Sequence, residues 1–392
     1  MQPDGPSTGS SSLVARVPFF YGWIILMVSA LAIFISGPGQ TYSISIFVDP
    51  IISEMGWSRT MISGLYTGGS LTAGAVMVLV GRLLDRYGAR IMMTVVGILF
   101  GFAALWMSSV DSPLKLYTGF AAIRILGQGS LTLIPTTLIA LWFVRLRGRM
   151  TAIGALGGAI SAAVFPIVLH SLIADMGWRN TWLVLAYTIW GALLLPVVLV
   201  VRKSPESVGL LPDGKPAITE DGVEEVSAIQ ETDLTLSEAL RTRAFWLLLF
   251  ATAAHPLIGT ALAFHQISLL ASRGISSAIA ASVFSVMASA QLLGTFIASF
   301  MADRFPNRYL LAFGQGLLIA AMLLTFLISS PWHAFLYGAI IGFGSGFFMT
   351  ASVVIFPNYF GRLHLGSIRG VATAGMVVFA ALGPLPFGLL FD

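Results

Sequence analysis

Long apolar runs alternate with short charged breaks along almost the whole chain. A helix needs about 20 mainly apolar residues to cross a bilayer. Runs of that kind, bounded by charge, glycine or proline, lie near 19–47, 58–80, 90–109, 114–142, 150–172 and 180–201. After a polar stretch come further runs near 245–270, 277–300, 309–329, 332–356 and 367–391. The pattern predicts an all-α polytopic membrane protein with eleven spans, six before the polar stretch and five after it.

The charged breaks repeat. GRLLDRYGAR, Gly81 to Arg90, returns in degraded form as SFMADRFPNR, Ser299 to Arg308, with Asp85-Arg86 and Asp303-Arg304 four residues into each copy. Gly56-Trp57-Ser58-Arg59 before span two parallels Arg273-Gly274-Ile275-Ser276 before span eight. Trp142-Phe143 followed by Arg147-Gly148 parallels Tyr359-Phe360 followed by Arg369-Gly370, and Gly127-Gln128-Gly129 in span four parallels Gly342 to Gly346 in span ten. Six spans per repeat insert both halves the same way up, a parallel repeat. That repeat predicts a twelfth span where the chain ends, so the expectation is a C-terminal truncation, with an eleven-span protein as the alternative.

Composition and charge sharpen this picture. The chain is 57% hydrophobic and 10% charged, against about 25% charged residues in a soluble domain. With the N-terminus in the cytoplasm, 16 of the 21 basic residues fall inside, 4 outside and 1, Arg124, within a span. Basic loops stay inside, so the expected location is the inner (plasma) membrane, multi-pass, with a cytoplasmic N-terminus. The same placement accounts for the net charge of +4 without nucleic acid. The expected organisation is a disordered tail at 1–17, a six-helix bundle at 18–201, a linker at 202–243 and a five-helix bundle at 244–392. Thr235 and Glu238 have capping-box spacing, which predicts a short amphipathic helix closing the linker. Zero cysteines exclude disulfides, thiolate metal sites and cysteine catalysis. The five histidines lack metal-ligand spacing, no nucleophile–base set stands out, and no glycine run ends in the GKS/T of a P-loop.

Two residues deep in spans could carry chemistry. Arg124 lies about 15 Å into a hydrocarbon core of about 30 Å. A charge at that depth marks a substrate or ion pathway by default, and a guanidinium can hold a carboxylate through paired hydrogen bonds. The alternative is a structural arginine bonded to carbonyls. His255, next to Pro256 in span seven, is about 16 Å deep and could pass a coupled proton. Its alternative is a neutral histidine bonded within the bundle. His170, His265 and His333 fall near span ends, and His364 falls in a loop.

GRLLDRYGAR resembles the loop motif G-x-L-[AL]-D-R-x-G-x-[KR] of the major facilitator superfamily, and the resemblance covers nearly everything after residue 17. Phe20-Tyr21-Gly22-Trp23, WFVRLRGRMTAIGALGG (Trp142 to Gly158) and NYFGRLHLGSIRG (Asn358 to Gly370) are similar to signatures of its monocarboxylate transporter and oxalate/formate antiporter group. Arg124-Ile-Leu-Gly127-Gln128-Gly129 resembles the R-x-x-Q-G motif of proton-coupled drug antiporters, with glycine and glutamine reversed. The resemblance implies the major facilitator fold, two six-helix bundles working by alternating access, with the twelfth helix missing here. It places Arg124, Tyr66, Gln40, Tyr42, Gln128 and Gln291 on cavity-lining spans. It implies a gate of Gly81, Asp85, Arg86, Arg90 and Arg369, with Asp85 facing Ser367 to Arg369. By pseudo-symmetry Asp303 and Arg304 would face Arg147 and Arg149. The charged residues that this group carries in spans one, eight and eleven are absent here.

The expected function is secondary transport of a small organic anion, monocarboxylate-like, with a proton. Arg124 would bind the anion, and His255 with Arg124 would serve proton coupling. Alternatives are a proton-coupled exporter of neutral or lipophilic compounds, or a non-transporting solute sensor. The expected partners are the anion, the proton and the lipid bilayer, with no cofactor, metal or nucleic acid, and the expected unit is a monomer. An enzyme is not expected.

Overall fold

The computed structural model describes residues 17–214, 233–302 and 304–382, and every regular element among them is helical. A chain in lipid must satisfy its backbone polar groups within each segment, which helices do and open strands do not. The α-helices are α1 Gly22–Ile35, α2 Thr41–Met55, α3 Arg59–Ser108, α4 Pro113–Ile123, α5 Leu131–Trp142, α6 Arg147–Ile189, α7 Leu195–Val200, α8 Leu236–Arg241, α9 Arg243–Ala271, α10 Ser277–Ala302, α11 Asn307–Thr325, α12 Pro331–Phe360 and α13 Leu365–Leu382. Nine stretches among the described residues are long and apolar enough to cross a bilayer.

Two of the rods hold two passages each. Within α3 the backbone leaves helical geometry at Gly88 (φ 79°, ψ 165°), and within α6 at Gly177 (φ 79°, ψ 162°). Only glycine occupies that region readily. Divided at these points, the described residues make eleven helical passages. The charged decapeptide is therefore not a loop, because the helix runs through Asp85 and Arg86 and turns at Gly88.

Turn geometry repeats between the halves. Gly56 (φ 67°) and Gly274 (φ 75°) are both left-handed, each three residues before a helix start. At the later pair of loops the register differs from the sequence match. α5 ends at Trp142 and α6 starts at Arg147, while α12 ends at Phe360 and α13 starts at Leu365. Leu365-Gly366 thus holds the place of Arg147-Gly148, and Arg369-Gly370 lies about one turn further on.

Other elements are interrupted. Span one is two helices, α1 and α2, joined through a 3₁₀ turn at Gly37–Gly39. A π-helical segment, Arg124–Ser130, separates α4 from α5. Thr235 caps the six-residue α8, with a reciprocal bond from its own N–H to Glu238.

The chain forms two compact units. The first comprises Met1–Leu146, Ile153–Asp233 and Arg362–Gly370, and the second Arg147–Ala152, Leu234–Gly361 and Val371–Asp392. α6 and α13 each begin in one unit and continue in the other. In the second unit Leu262, Leu270, Val283, Leu318 and Tyr337 form a buried core. There α10 and α12 pack backbone to backbone: a Cβ at Gly346 would lie 2.4 Å from Gln291 O. Large apolar side chains within the helices, such as Phe313 and Leu323, remain exposed, as lipid-facing residues of a membrane helix do.

Candidate functional site

The helix breaks of spans one and four meet in the first unit. Pro38 has no N–H to donate, and α1 stops at Ser36. Gln40 is extended (ψ 153°), and the helix restarts at Thr41. The turn fits only because residue 39 lacks a side chain, since a Cβ there would lie 2.5 Å from Ile123 O and 2.8 Å from Gly127 Cα. Gln40 donates to Ser36 Oγ (3.0 Å), bridging the break. Tyr42 donates to Ser161 Oγ (2.8 Å), which donates to Phe34 O (2.8 Å). These two residues brace the break from both sides.

Arg124 opens the π segment facing this break. Its Nη1 donates to Thr41 Oγ1 (3.2 Å), and its Cζ stands 5.0 Å from the centre of the Tyr66 ring. Tyr66 in turn shares a 2.8 Å hydrogen bond with Thr41 and meets Phe120 edge to face. Arg124 is only 9% exposed, and its buried Nε has no hydrogen-bond partner. No carboxylate among the described residues pairs with it. Gln128, half-buried, sits on the same π segment with its backbone N close to Gly39. π segments inside α-helices are frequent at functional sites.

His255 belongs to the second unit. It lies in α9 one residue before Pro256, stacked on Phe348 with ring centres 4.2 Å apart. Its Nε2 is 3.0 Å from Ser345 Oγ, whose own proton goes to Ile341 O (2.7 Å). The serine hydroxyl has a single proton to donate, so with that proton on Ile341 O the tautomer that fits has the hydrogen on Nε2 and a lone pair on Nδ1. Nδ1 is buried and without a partner. Gln291 is in the same unit, half-buried, with its amide nitrogen 3.6 Å from Met349 Sδ.

Charged residues gather at the helix ends. Asp85 accepts the N–H groups of Gly366 (2.8 Å) and Ser367 (2.7 Å) in the first turn of α13. Gly81 allows this approach, since a Cβ there would lie 2.2 Å from Gly366 O. Arg369 is buried and donates to Thr137 Oγ1 (3.0 Å). Arg90 donates to Val198 O (2.6 Å), and Arg86 lies over the ring of Tyr87. In the second unit Arg147 donates to Asn358 Oδ1 and Arg149 lies over Phe300. Arg304 follows the end of α10, and Asp303 lies outside the described residues.

The sequence reading missed three groups. Thr41, the contact of Arg124, looks like any threonine until the break before it is known. Asp213 accepts backbone N–H groups of Val144, Arg145 and Leu146 (3.2, 2.8 and 3.4 Å), and Asp233 accepts those of Arg362 and Leu363 (2.8 and 3.1 Å). In the structural register Val144 matches Arg362 and Arg145 matches Leu363, so each linker end caps the same loop of the repeat. At the far ends of the passages, Glu54 accepts hydrogen bonds from Trp178 (2.5 Å) and Arg179 (2.9 Å), and Arg179 also donates to Ser108 O (2.9 Å).

The Major Facilitator Superfamily model matches residues 22–267 and 256–392. The chain is 23% identical over 368 residues to the uncharacterized MFS-type transporter YhjX of Escherichia coli (strain K12), covering 90% of this chain and 84% of that protein. Over 165 residues it is 26% identical to monocarboxylate transporter 6 of Mus musculus, covering 41% of this chain and 34% of that one. A crystal structure of a double-tryptophan XylE variant superposes with a TM-score of 0.70 at 15% identity, covering 94% of this chain and 88% of that one. With the helical fold, the apolar passages and the family model in agreement, the chain belongs to the Major Facilitator Superfamily and is a multi-pass membrane transporter.

Proposed function

We propose that the protein is a secondary transporter that moves a small organic anion, monocarboxylate-like, together with a proton by alternating access. The observation that carries this reading is Arg124, a buried guanidinium hydrogen-bonded to Thr41 and with no carboxylate partner among the described residues. An unneutralised buried cation is costly unless an anion visits it, and a carboxylate matches its fork of donors. Similarity to monocarboxylate transporter 6 supports the same class of cargo.

His255 supplies the proton step, since its bare Nδ1 is a buried base with room for one proton. Asp85, Arg86, Arg90 and Arg369, with Asp303, Arg304, Arg147 and Arg149, form the gate. The protein works in the plasma membrane with its N-terminus and its basic loops in the cytoplasm.

Uptake of radiolabelled lactate and oxalate into proteoliposomes, with and without an inward proton gradient, tests the reading. Gradient-driven anion accumulation is expected. Arg124→Ala should reduce it to the protein-free level. His255→Gln keeps a donor toward Ser345 but removes the basic nitrogen, so anion exchange should persist while gradient-driven accumulation is lost. Full anion transport by Arg124→Ala would refute the binding role. Proton-driven movement of a lipophilic dye with no anion flux would replace this reading with export.

A further inference from the structure

The break in span one does more than interrupt a helix. We propose that the N-terminus of α2 is the second half of the anion site, so that the carboxylate is shared between Arg124 and this helix end, with Thr41 positioning the guanidinium. The inference rests on the anion-transport reading above and extends it to groups that carry no charge in the sequence.

α2 is fifteen residues long, enough for its aligned peptide dipoles to leave about half a positive charge at the N-terminus. That end lacks a side-chain cap, because the preceding Gln40 is committed to Ser36. Thr41 is the first helical residue, it is exposed, and its backbone N–H donates to no acceptor among the described residues. The guanidinium of Arg124 is fixed 3.2 Å from the hydroxyl of this residue. Two positive features therefore converge on one point with no carboxylate between them. In a membrane interior such a pairing is unfavourable until an anion occupies it.

Proton counting at the hydroxyls points the same way. Thr41 Oγ1 accepts from Arg124 and shares one hydrogen bond with Tyr66. Two hydroxyls have two protons, and their mutual bond uses one. Whichever direction that bond takes, one O–H is left over beside the guanidinium. The site thus offers an N–H, an O–H and a guanidinium edge, all donors. Its complement is an ionised carboxylate with a further acceptor oxygen, as in lactate or oxalate. A neutral amide of the same shape would set its own N–H groups against these donors.

A graded series at residue 41 in the full chain tests this. Thr41→Val removes the hydroxyl and keeps the N–H. Thr41→Pro removes both, and proline suits a first helical position preceded by an extended residue. Thr41→Ser keeps both. The probes are lactate and oxalate, with lactamide as the neutral control, and the readouts are KM for proteoliposome uptake and anion-induced thermal stabilisation in detergent. KM is expected to rise about tenfold for Thr41→Val, the scale of one hydrogen bond to a charged group, and further for Thr41→Pro. Thr41→Ser should restore most of the loss, and lactamide should compete weakly against every variant. Variants that melt like the parent but keep the parental KM for both anions would overturn the proposal while leaving Arg124 intact. If the parent protein itself moves and binds neither anion, the transport reading fails first and the proposal falls with it.

Discussion

At the scale of single residues, the clearest electrostatic device lies away from the proposed substrate site. Glu54 joins the end of α2 to the passage that begins after Gly177, and Arg179 extends the link to Ser108 at the end of α3. The hydrogen bond from Arg179 holds the Glu54 carboxyl below the usual carboxylate range, helped by the indole N–H of Trp178. A carboxyl depressed in the folded state contributes stability above its unfolded pKa and loses it as pH falls through the folded value. The unfolded value is about 4.3, so this contribution is complete at neutral pH and declines progressively as pH falls from there through the folded value. Glu54→Gln should therefore lower the melting temperature in detergent at pH 7, and lower it by less at an acid pH below about 4.3. An equal drop at both pH values would show that the link acts through packing and not through charge. None of this was legible in advance, because a glutamate and an arginine 125 residues apart give no periodic signal. Arg124 was legible, since one charge in an apolar run can be seen without any structure.

At the scale of elements, apolar run length located the passages among the described residues but did not say how consecutive passages join. Charged residues mark where the chain leaves lipid, whereas helices end where backbone dihedrals change. At 81–90 these are different places, and the helix carries its charges onward to Gly88. The misregister at Arg369-Gly370 has a related cause. Matching Arg-Gly pairs by identity ignores that Leu365-Gly366 stands at the same distance from a helix end as Arg147-Gly148. The break in span one falls at Gly37-Pro38-Gly39, and its partner, the π segment at Arg124–Ser130, falls on the Arg124 to Gly129 motif, but neither stretch announces in sequence that the two meet. Gly177 offers a direct test of the turn argument. Its dihedrals belong to glycine, and a Cβ there would meet nothing within 4 Å. Any penalty for Gly177→Ala is therefore conformational and not steric, of about 1–3 kcal/mol. Reversible unfolding in mixed micelles should show a loss on that scale. An unchanged stability would mean that the α6 rod can straighten through this point.

At the scale of the whole molecule, the duplicated halves were read from the sequence, but the boundary between compact units does not follow them. The first turn of α13 clusters with the first unit and the remainder with the second, so one continuous helix belongs to both. Asp85 holds that first turn by accepting two of its N–H groups, at the helix end where negative charge is favoured. A conformational cycle in which the first turn of α13 moves away from Asp85 of α3 must break both bonds. Asp85→Asn keeps the shape but loses the charge and leaves one acceptor oxygen where there were two. Hydrogen bonds to a charged group contribute about 1.5–3 kcal/mol each, and about 1.4 kcal/mol is a tenfold change in a two-state ratio. The state with the bonds broken should therefore gain roughly tenfold or more in population. The chain contains no cysteine, so a single pair of introduced cysteines, one near Asp85 in α3 and one in the first turn of α13, reports the distribution without background labelling. Pulsed spin-label distances in Asp85→Asn should shift toward the longer component, and Asp85→Glu should recover part of the shorter one. A distribution identical to the parent would reduce Asp85 to a helix cap with no part in the cycle. Slower transport with an unchanged KM should accompany the shift if, as proposed, Asp85 belongs to the gate and not to the anion site.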